Sequence, residues 1–262
     1  MMAKVKLDTG IAGKTMVIQG LGNVGSYAGK ICQQEGGVRV IAVSEQEGTI
    51  ISDKDINIEK LIEYRKQKGS IMGFPGTKKL ENREDWVKIE CDILLPAALE
   101  SQINKENAKF VKAKIIGEAA NGPVTADAET ILLKKGILIM PDMYLNAGGV
   151  TVSYFEWLKN LSHRRFGRLE KRFDQNTYSN LLTTMEKMTG KSIGQRERTF
   201  LTRGADEVDL VRSGLEETMI NSYEQIMDYF NRYKRIEDLR TAAFSCALDK
   251  VANDYLTLGV FP

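Results

Sequence analysis

Two hydrophobic patterns alternate through the first half of the chain. Short apolar runs occupy Lys14–Gln19 (KTMVIQ), Val38–Ser44 (VRVIAVS), Cys91–Pro96 (CDILLP), Lys114–Ala119 (KIIGEA) and Ile137–Asp142 (ILIMPD). None alternates cleanly between apolar and polar positions, so the runs predict strands covered on both faces. Between them, Asn23–Glu35, Ile58–Gln67, Ser101–Val111 and Thr125–Lys135 carry helical spacing. Strand–helix–strand order predicts an α/β fold built on a doubly wound, Rossmann-like parallel sheet. Glu47–Ser52 (EGTIIS) predicts a small additional edge strand.

Past Asn146 the pattern changes. Ala147 to Lys187 reads as mostly helical material around the basic stretch SHRRFGRLEKRF, and charges then alternate from Thr189 to Asp209. No apolar period there is long enough for a core, which predicts an antenna-like projection over about 163–208. Helical spacing returns from Glu207 to Tyr233. It recurs from Asp238 to Thr257, where Leu239, Ala242, Ala243, Cys246, Leu248, Val251 and Leu256 are the apolar positions. The expected division is a dinucleotide-binding domain over residues 1–150 and a helical region over 151–262.

Composition narrows the chemistry. A chain of 262 residues, 42% of them hydrophobic, can bury one large core or a core with an appendage. A net charge of +2 gives no footprint for nucleic acid or an anionic membrane. Cys32, Cys91 and Cys246 lie far apart, and the single histidine, His163, sits between Ser162 and Arg164, so no zinc or other metal set is expected. No apolar run approaches the ~20 residues that span a bilayer, so no membrane insertion is expected. The N-terminal MMAKVKLDTG has neither a signal-peptide core nor an Arg/Ser-rich transit helix.

Gly20, Gly22 and Gly25 form G-x-G-x-x-G directly after the first predicted strand, at the start of a predicted helix. In a dinucleotide cradle, Gly20 makes the tight turn, Gly22 lets backbone approach a pyrophosphate, and Gly25 lets helix and strand pack closely. The helix N-terminus then presents free N–H groups to phosphate oxygens. Glu45 stands at the end of the next strand, placed to accept from a ribose diol. With Glu47 beside it, it favours NAD over NADP by repelling a 2′-phosphate. The bland alternatives are a strand–turn–helix that uses glycine only for packing, and a solvated Glu45.

Several stretches resemble the glutamate dehydrogenase family in order along the chain: QGLGNVG, GSIMGFPGTKKL, CDILLPAALE, AANGPVTADAE, PDMYLNAGGVTVSYFEWLKNL and DLRTAAF. They resemble its NAD-binding half, and the basic segment near 166–208 resembles the antenna of the animal and ciliate type. The resemblance implies that Gly20, Gly22, Asn23 and Val24 lie under the pyrophosphate of NAD (or NADP), with Glu45 on the adenosine ribose; Gly25 of the same motif is counted with them as cofactor-binding. Ala97 and Ala98 would flank the path of the cofactor. Asn121 and Asn146 would meet the nicotinamide ribose or carboxamide. Ser153 would bind the substrate α-carboxylate, with Val150 beside the substrate side chain; glutamate and 2-oxoglutarate are the implied substrates. The alternative for Ser153 is a helix residue bonded to its own backbone.

The family's catalytic lysine and aspartate belong to an N-terminal half that this sequence does not match, so no catalytic residue is assigned here. Ala119 stands where the family usually has glycine. Two expectations follow. In one, the chain supplies the NAD-binding part of glutamate deamination, with a partner chain supplying the lysine and aspartate; protein partners or a homo-oligomer are expected. In the other, it is a catalytically inactive remnant serving as a structural subunit of a larger complex. The resemblance implies the mitochondrial matrix, with the cytoplasm as the alternative.

Overall fold

The computed structural model describes residues 5–162, 168–203 and 206–259. It contains two compact units. The first ends at Ala147 and resumes at Glu224; the second is Gly148–Tyr223. The last helix therefore belongs with the sheet rather than with the helical residues that follow 150.

The first unit is built on strands β1 (Thr15–Gln19), β2 (Arg39–Glu45), β3 (Gly48–Ile51), β4 (Lys78–Lys79), β5 (Ile93–Pro96), β6 (Ile115–Gly117) and β7 (Leu138–Met140). They form one sheet in the order β4-β3-β2-β1-β5-β6-β7. β1, β2, β5, β6 and β7 run parallel, while β3 and β4 join antiparallel beyond β2. Helices α1 (Asn23–Gln34), α2 (Ile58–Lys68) and α3 (Ala126–Lys134) cover the faces. The central strands β1, β2, β5 and β6 read as apolar runs because they bury both faces. Met16, Ile18, Val40, Val43 and Leu95 pack with Ile58 and Leu61. Val17, Ala42, Leu94 and Ile116 pack with Trp86, Ala128 and Leu132.

The fold class is thus an α/β doubly wound sheet, with two local departures from expectation. Glu47–Ser52 is not at the edge: β3 pairs with β4 on its far side, and two exposed lysines, Lys78 and Lys79, form the edge instead. Charged edge positions discourage pairing with another chain. Nor is Ser101–Val111 an α-helix. Ile103 bridges to Val124, and only Ala108–Phe110 forms a short 3-10 turn. Asn104 is the cause. Its side chain accepts from the N–H groups of Glu106 (3.0 Å) and Asn107 (3.3 Å), and Asn107 Oδ1 accepts from Asn104 N–H (2.9 Å). These local bonds compete with a helical ladder.

The short helix α4 (Asp142–Leu145) follows β7, and α9 (Leu239–Leu258) closes the unit. α9 buries Leu239, Ala242, Ala243 and Cys246, and Asp238 caps it by accepting from Thr241 N–H at 2.6 Å. The second unit holds α5 (Ala147–Ser162) from Gly148 on, α6 (Arg168–Thr189), α7 (Gln195–Leu201) and most of α8 (Glu207–Arg232). α6 and α7 are tied by Arg198, whose Nη2 donates to Thr183 Oγ1 at 2.7 Å and to Glu186 at 3.3 Å. His163 and the start of the antenna-like projection expected from 163 lie outside the described residues, as do 204–205. Among the described residues no helix is long and apolar enough to cross a membrane.

Candidate functional site

β1 is the point where strand order reverses: β2 lies on one side and β5 on the other. In open α/β sheets, ligands bind beyond the carboxyl ends of the strands at such a switch point. The glycine turn occupies that place. Gly20 has φ +93° and donates its N–H to Ser44 O on β2 at 2.8 Å. Ala97 N–H donates to Gln19 O at 2.7 Å, which holds the end of β5 against the same turn. A Cβ built on Gly20 would come within 2.7 Å of Ala98 Cβ, so both the backbone angle and the space require glycine.

Gly25 is needed for a different reason. Its ideal Cβ would lie 1.9 Å from Gly20 O, so this glycine sets the close approach of α1 to the turn. Gly22 differs from both. It has φ −76°, and nothing lies within 4 Å of where its Cβ would stand. Gly22 is also the N-cap of α1 and offers no side-chain cap, and the first turn carries no acidic residue. α2, α3 and α9 are capped by Asn57, Thr125 and Asp238. The first N–H groups of α1 are therefore left for a ligand or water, beside open space, at the positive end of the helix dipole.

A cleft of about 520 Å³ opens over this turn, lined by Gly20, Gly22, Asn23, Val24, Glu45, Ala97 and Ala98. Seven of the twelve residues marked from sequence are thus brought together. Gly25 lies buried directly behind them. Gln19, Gln46, Arg65, Trp86 and Gln102 line the same cleft and were not marked. Gln19 Nε2 donates to Gln102 Oε1 at 3.0 Å, and Gln19 Oε1 is buried without a partner among the described residues. A larger groove of about 640 Å³ between α1 and α2 backs onto the same turn at Leu21, Gly22 and Asn23.

Glu45 stands at the end of β2, with its carboxylate already engaged. Oε1 accepts from Leu21 N–H and from Arg65 Nη1, the latter at 2.9 Å, and Gln46 N–H donates to Oε2 at 3.2 Å. Arg65, in the last turn of α2, also donates to Leu21 O at 3.0 Å and lies 3.6 Å from Glu47. Glu45 thus holds the turn as well as facing the cleft. Its partner arginine places a cation at the same end.

Asn121 and Asn146 do not line the cleft, but they meet each other. Asn146 Nδ2 donates to Asn121 Oδ1 at 2.8 Å and to Ala120 O at 3.3 Å. The loop that carries Asn121 is held to the end of β5, because Ala119 and Ala120 N–H both donate to Pro96 O, at 3.1 and 2.9 Å. Val150 and Ser153 belong to the second unit. Val150 is 74% exposed, and Ser153 Oγ donates to Gly149 O one helical turn back, at 3.1 Å.

A family profile described as glutamate/leucine/phenylalanine/valine dehydrogenase matches residues 1–212. The chain belongs to this dehydrogenase family. Among its curated members, the mitochondrial glutamate dehydrogenase of Dictyostelium discoideum is 46% identical over 258 residues, covering 98% of this chain and 51% of that protein. The NADP-specific glutamate dehydrogenase of Saccharolobus shibatae is 37% identical over 246 residues, covering 94% of this chain and 48% of that protein. In fold, the chain is similar to the hetero-hexameric glutamate dehydrogenase of Thermus thermophilus, with a TM-score of 0.73 at 22% identity over 99% of this chain and 50% of that one. The chain thus spans about half the length of the family members it matches.

Proposed function

We propose that the chain supplies the dinucleotide-binding part of a glutamate dehydrogenase, which converts glutamate to 2-oxoglutarate and ammonium. One observation carries this reading. The uncapped start of α1 and the unobstructed face of Gly22 coincide at the strand-order switch point. Those features fit a dinucleotide pyrophosphate, whose oxygens would accept from the N–H groups of Gly22, Asn23 and Val24. NAD, when bound, supplies the hydride acceptor. Gly20 and Gly25 hold the turn that aims those N–H groups. Ala97 and Ala98 form the wall at the end of β5. Glu45 accepts from the adenosine ribose.

Asn121 and Asn146, joined by one hydrogen bond between their side-chain amides, retain a donor on Asn121 and an acceptor on Asn146 to orient the nicotinamide end. Ser153 and Val150 serve the substrate, the serine giving up its bond to Gly149 O in favour of a carboxylate. Glu45 supports NAD as the preferred cofactor, while Arg65 leaves room for NADP. The residues that activate the substrate come from protein outside these 262 residues, homo-oligomerisation is expected besides, and the name of the Dictyostelium relative supports a mitochondrial location, the matrix in this reading. Calorimetric titration of the 262-residue chain tests the reading. The wild type binds NAD, and Glu45→Ala binds it about tenfold or more weakly, the worth of a hydrogen bond to a charged group. A folded chain that binds no NAD at millimolar concentration sinks it.

A further inference from the structure

Three carboxylates in the first unit converge on one guanidinium. Arg240, in the first turn of α9, donates Nη2 to Glu118 at 2.6 Å, Nε to Glu129 at 2.9 Å and Nη1 to Asp142 at 3.0 Å. Glu118 is fully buried, and the side chains of Glu129, Asp142 and Arg240 are 14%, 22% and 21% exposed. Burial pushes the Glu118 carboxyl above its ordinary value, opposed by Arg240, and Glu118 Oε1 has no partner among the described residues. Gathering three carboxylates, one of them fully buried, around a single guanidinium carries a desolvation and repulsion cost.

The geometry around Asp142 shows what the third carboxylate adds. While Oδ1 accepts from Arg240, Oδ2 accepts from Gly122 N–H at 2.8 Å. Gly122 directly follows Asn121, whose amide meets Asn146 at the end of α4. Asp142 is itself the first residue of α4, and its own N–H donates to Glu118 Oε2 at 2.8 Å. The two asparagine-bearing segments thus hang from one carboxylate, and that carboxylate is fixed from behind by α9.

We infer that Arg240, acting through Asp142, is a positioning residue that holds Asn121 and Asn146 in register for the nicotinamide end of the dinucleotide. The inference rests on the proposed function. Asp142 is the link and Glu118 and Glu129 are the anchors, so Asp142→Ala cuts the link to Gly122 while leaving α9 docked. Calorimetry on the 262-residue chain should compare NAD with ADP, which lacks the nicotinamide half, in the wild type, Asp142→Ala, Asp142→Asn and Arg240→Lys. Circular dichroism confirms the fold of each.

In Asp142→Ala, NAD affinity should fall about tenfold, with ADP within twofold of wild type. Asp142→Asn keeps an acceptor for Gly122 N–H and should recover most of the loss. Arg240→Lys cannot fork to all three carboxylates and should fall between, with ADP again unchanged; it carries the test should Asp142→Ala fail to fold. A folded variant whose NAD and ADP affinities fall together, or whose NAD affinity is unchanged, overturns the positioning role alone. A folded wild type that binds neither nucleotide overturns the proposed function and this inference with it.

Discussion

Gly22 and Gly25 are three residues apart in one motif, yet alanine at the two positions should do opposite things. At Gly25 the added Cβ lands 1.9 Å from Gly20 O, and real Cβ contacts do not fall under 3.0 Å, so α1 and the turn must separate by about 1.1 Å. A backbone carbonyl cannot rotate out of the way as a side chain can. The cost therefore sits at or above the top of the ~1–3 kcal/mol range for overpacking. For a chain of this size that lowers the melting temperature by roughly 6–12 °C. At Gly22 the same methyl meets nothing within 4 Å, and φ of −76° suits any residue. Alanine is a poorer N-cap than glycine, but it restricts the unfolded chain more, and the two effects leave stability within ~0.5 kcal/mol of wild type. The methyl nevertheless fills the space through which, on the proposed function, a pyrophosphate would approach the first N–H groups of α1. Losing one bond to a charged phosphate costs about 1.5–3 kcal/mol, so NAD affinity should fall more than tenfold. Differential scanning calorimetry and NAD titration on both variants read the two effects separately. A Gly22→Ala chain that melts and binds NAD like wild type would falsify the placement of the pyrophosphate over Gly22.

Other expectations follow from specific contacts. Glu45→Gln should weaken NAD binding and raise the NADP-to-NAD affinity ratio, because Arg65 is released from its 2.9 Å ion pair and a 2′-phosphate is no longer repelled; an unchanged ratio in paired titrations would place the ribose elsewhere. Asp92 is partly buried, which works against its charge, but Lys114 and the N–H and hydroxyl of Thr15 outweigh this and hold its carboxyl below the ordinary 3.8. Its contribution to stability is therefore present above that value and lost as pH falls through the lower folded-state value. Chemical denaturation of Asp92→Asn should show a shallower loss below about pH 4, and a slope identical to wild type would remove Asp92 from the acid response. Burial pushes the Cys91 thiol up to about 12, so thiol reagents at mildly alkaline pH should leave it unmodified in the folded chain and label it after denaturation; rapid labelling of folded protein, mapped by mass spectrometry, counts against this packing. The 262-residue chain by itself should show no glutamate-dependent NAD reduction above background, since it spans about half of its relatives and none of its residues is assigned to activate the substrate; turnover by a contaminant-free sample would mean that its own residues carry the chemistry.

The β1–α1–β2 unit was legible because its signals are local. Apolar runs, glycine spacing and a carboxylate after the next strand all fall between Thr15 and Glu45. The helix expected over Ser101–Val111 failed because reciprocal asparagine turns leave little mark on hydrophobic spacing. β4 is two lysines and has no hydrophobic signal at all. Arg65 and Gln102 reach the cleft from the end of α2 and from the loop after β5, 44 and 83 residues from the atoms they bond at Leu21 and Gln19. The Arg240 cluster joins residues up to 122 positions apart. Its only trace in the sequence is an arginine beside a helix cap in DLRTAAF, a motif that signalled the family without revealing the contact.

The most direct test of the central claim, that the glycine turn at the switch point holds NAD, is an amide-resolved NMR titration of the isotope-labelled chain up to millimolar NAD. The account predicts saturable shifts concentrated at Gly20, Gly22, Asn23 and Val24, with smaller ones at Glu45 and at Asn121 and Gly122. An unperturbed spectrum, or shifts confined to the outer groove between Lys30 on α1 and Lys66 on α2, would contradict it.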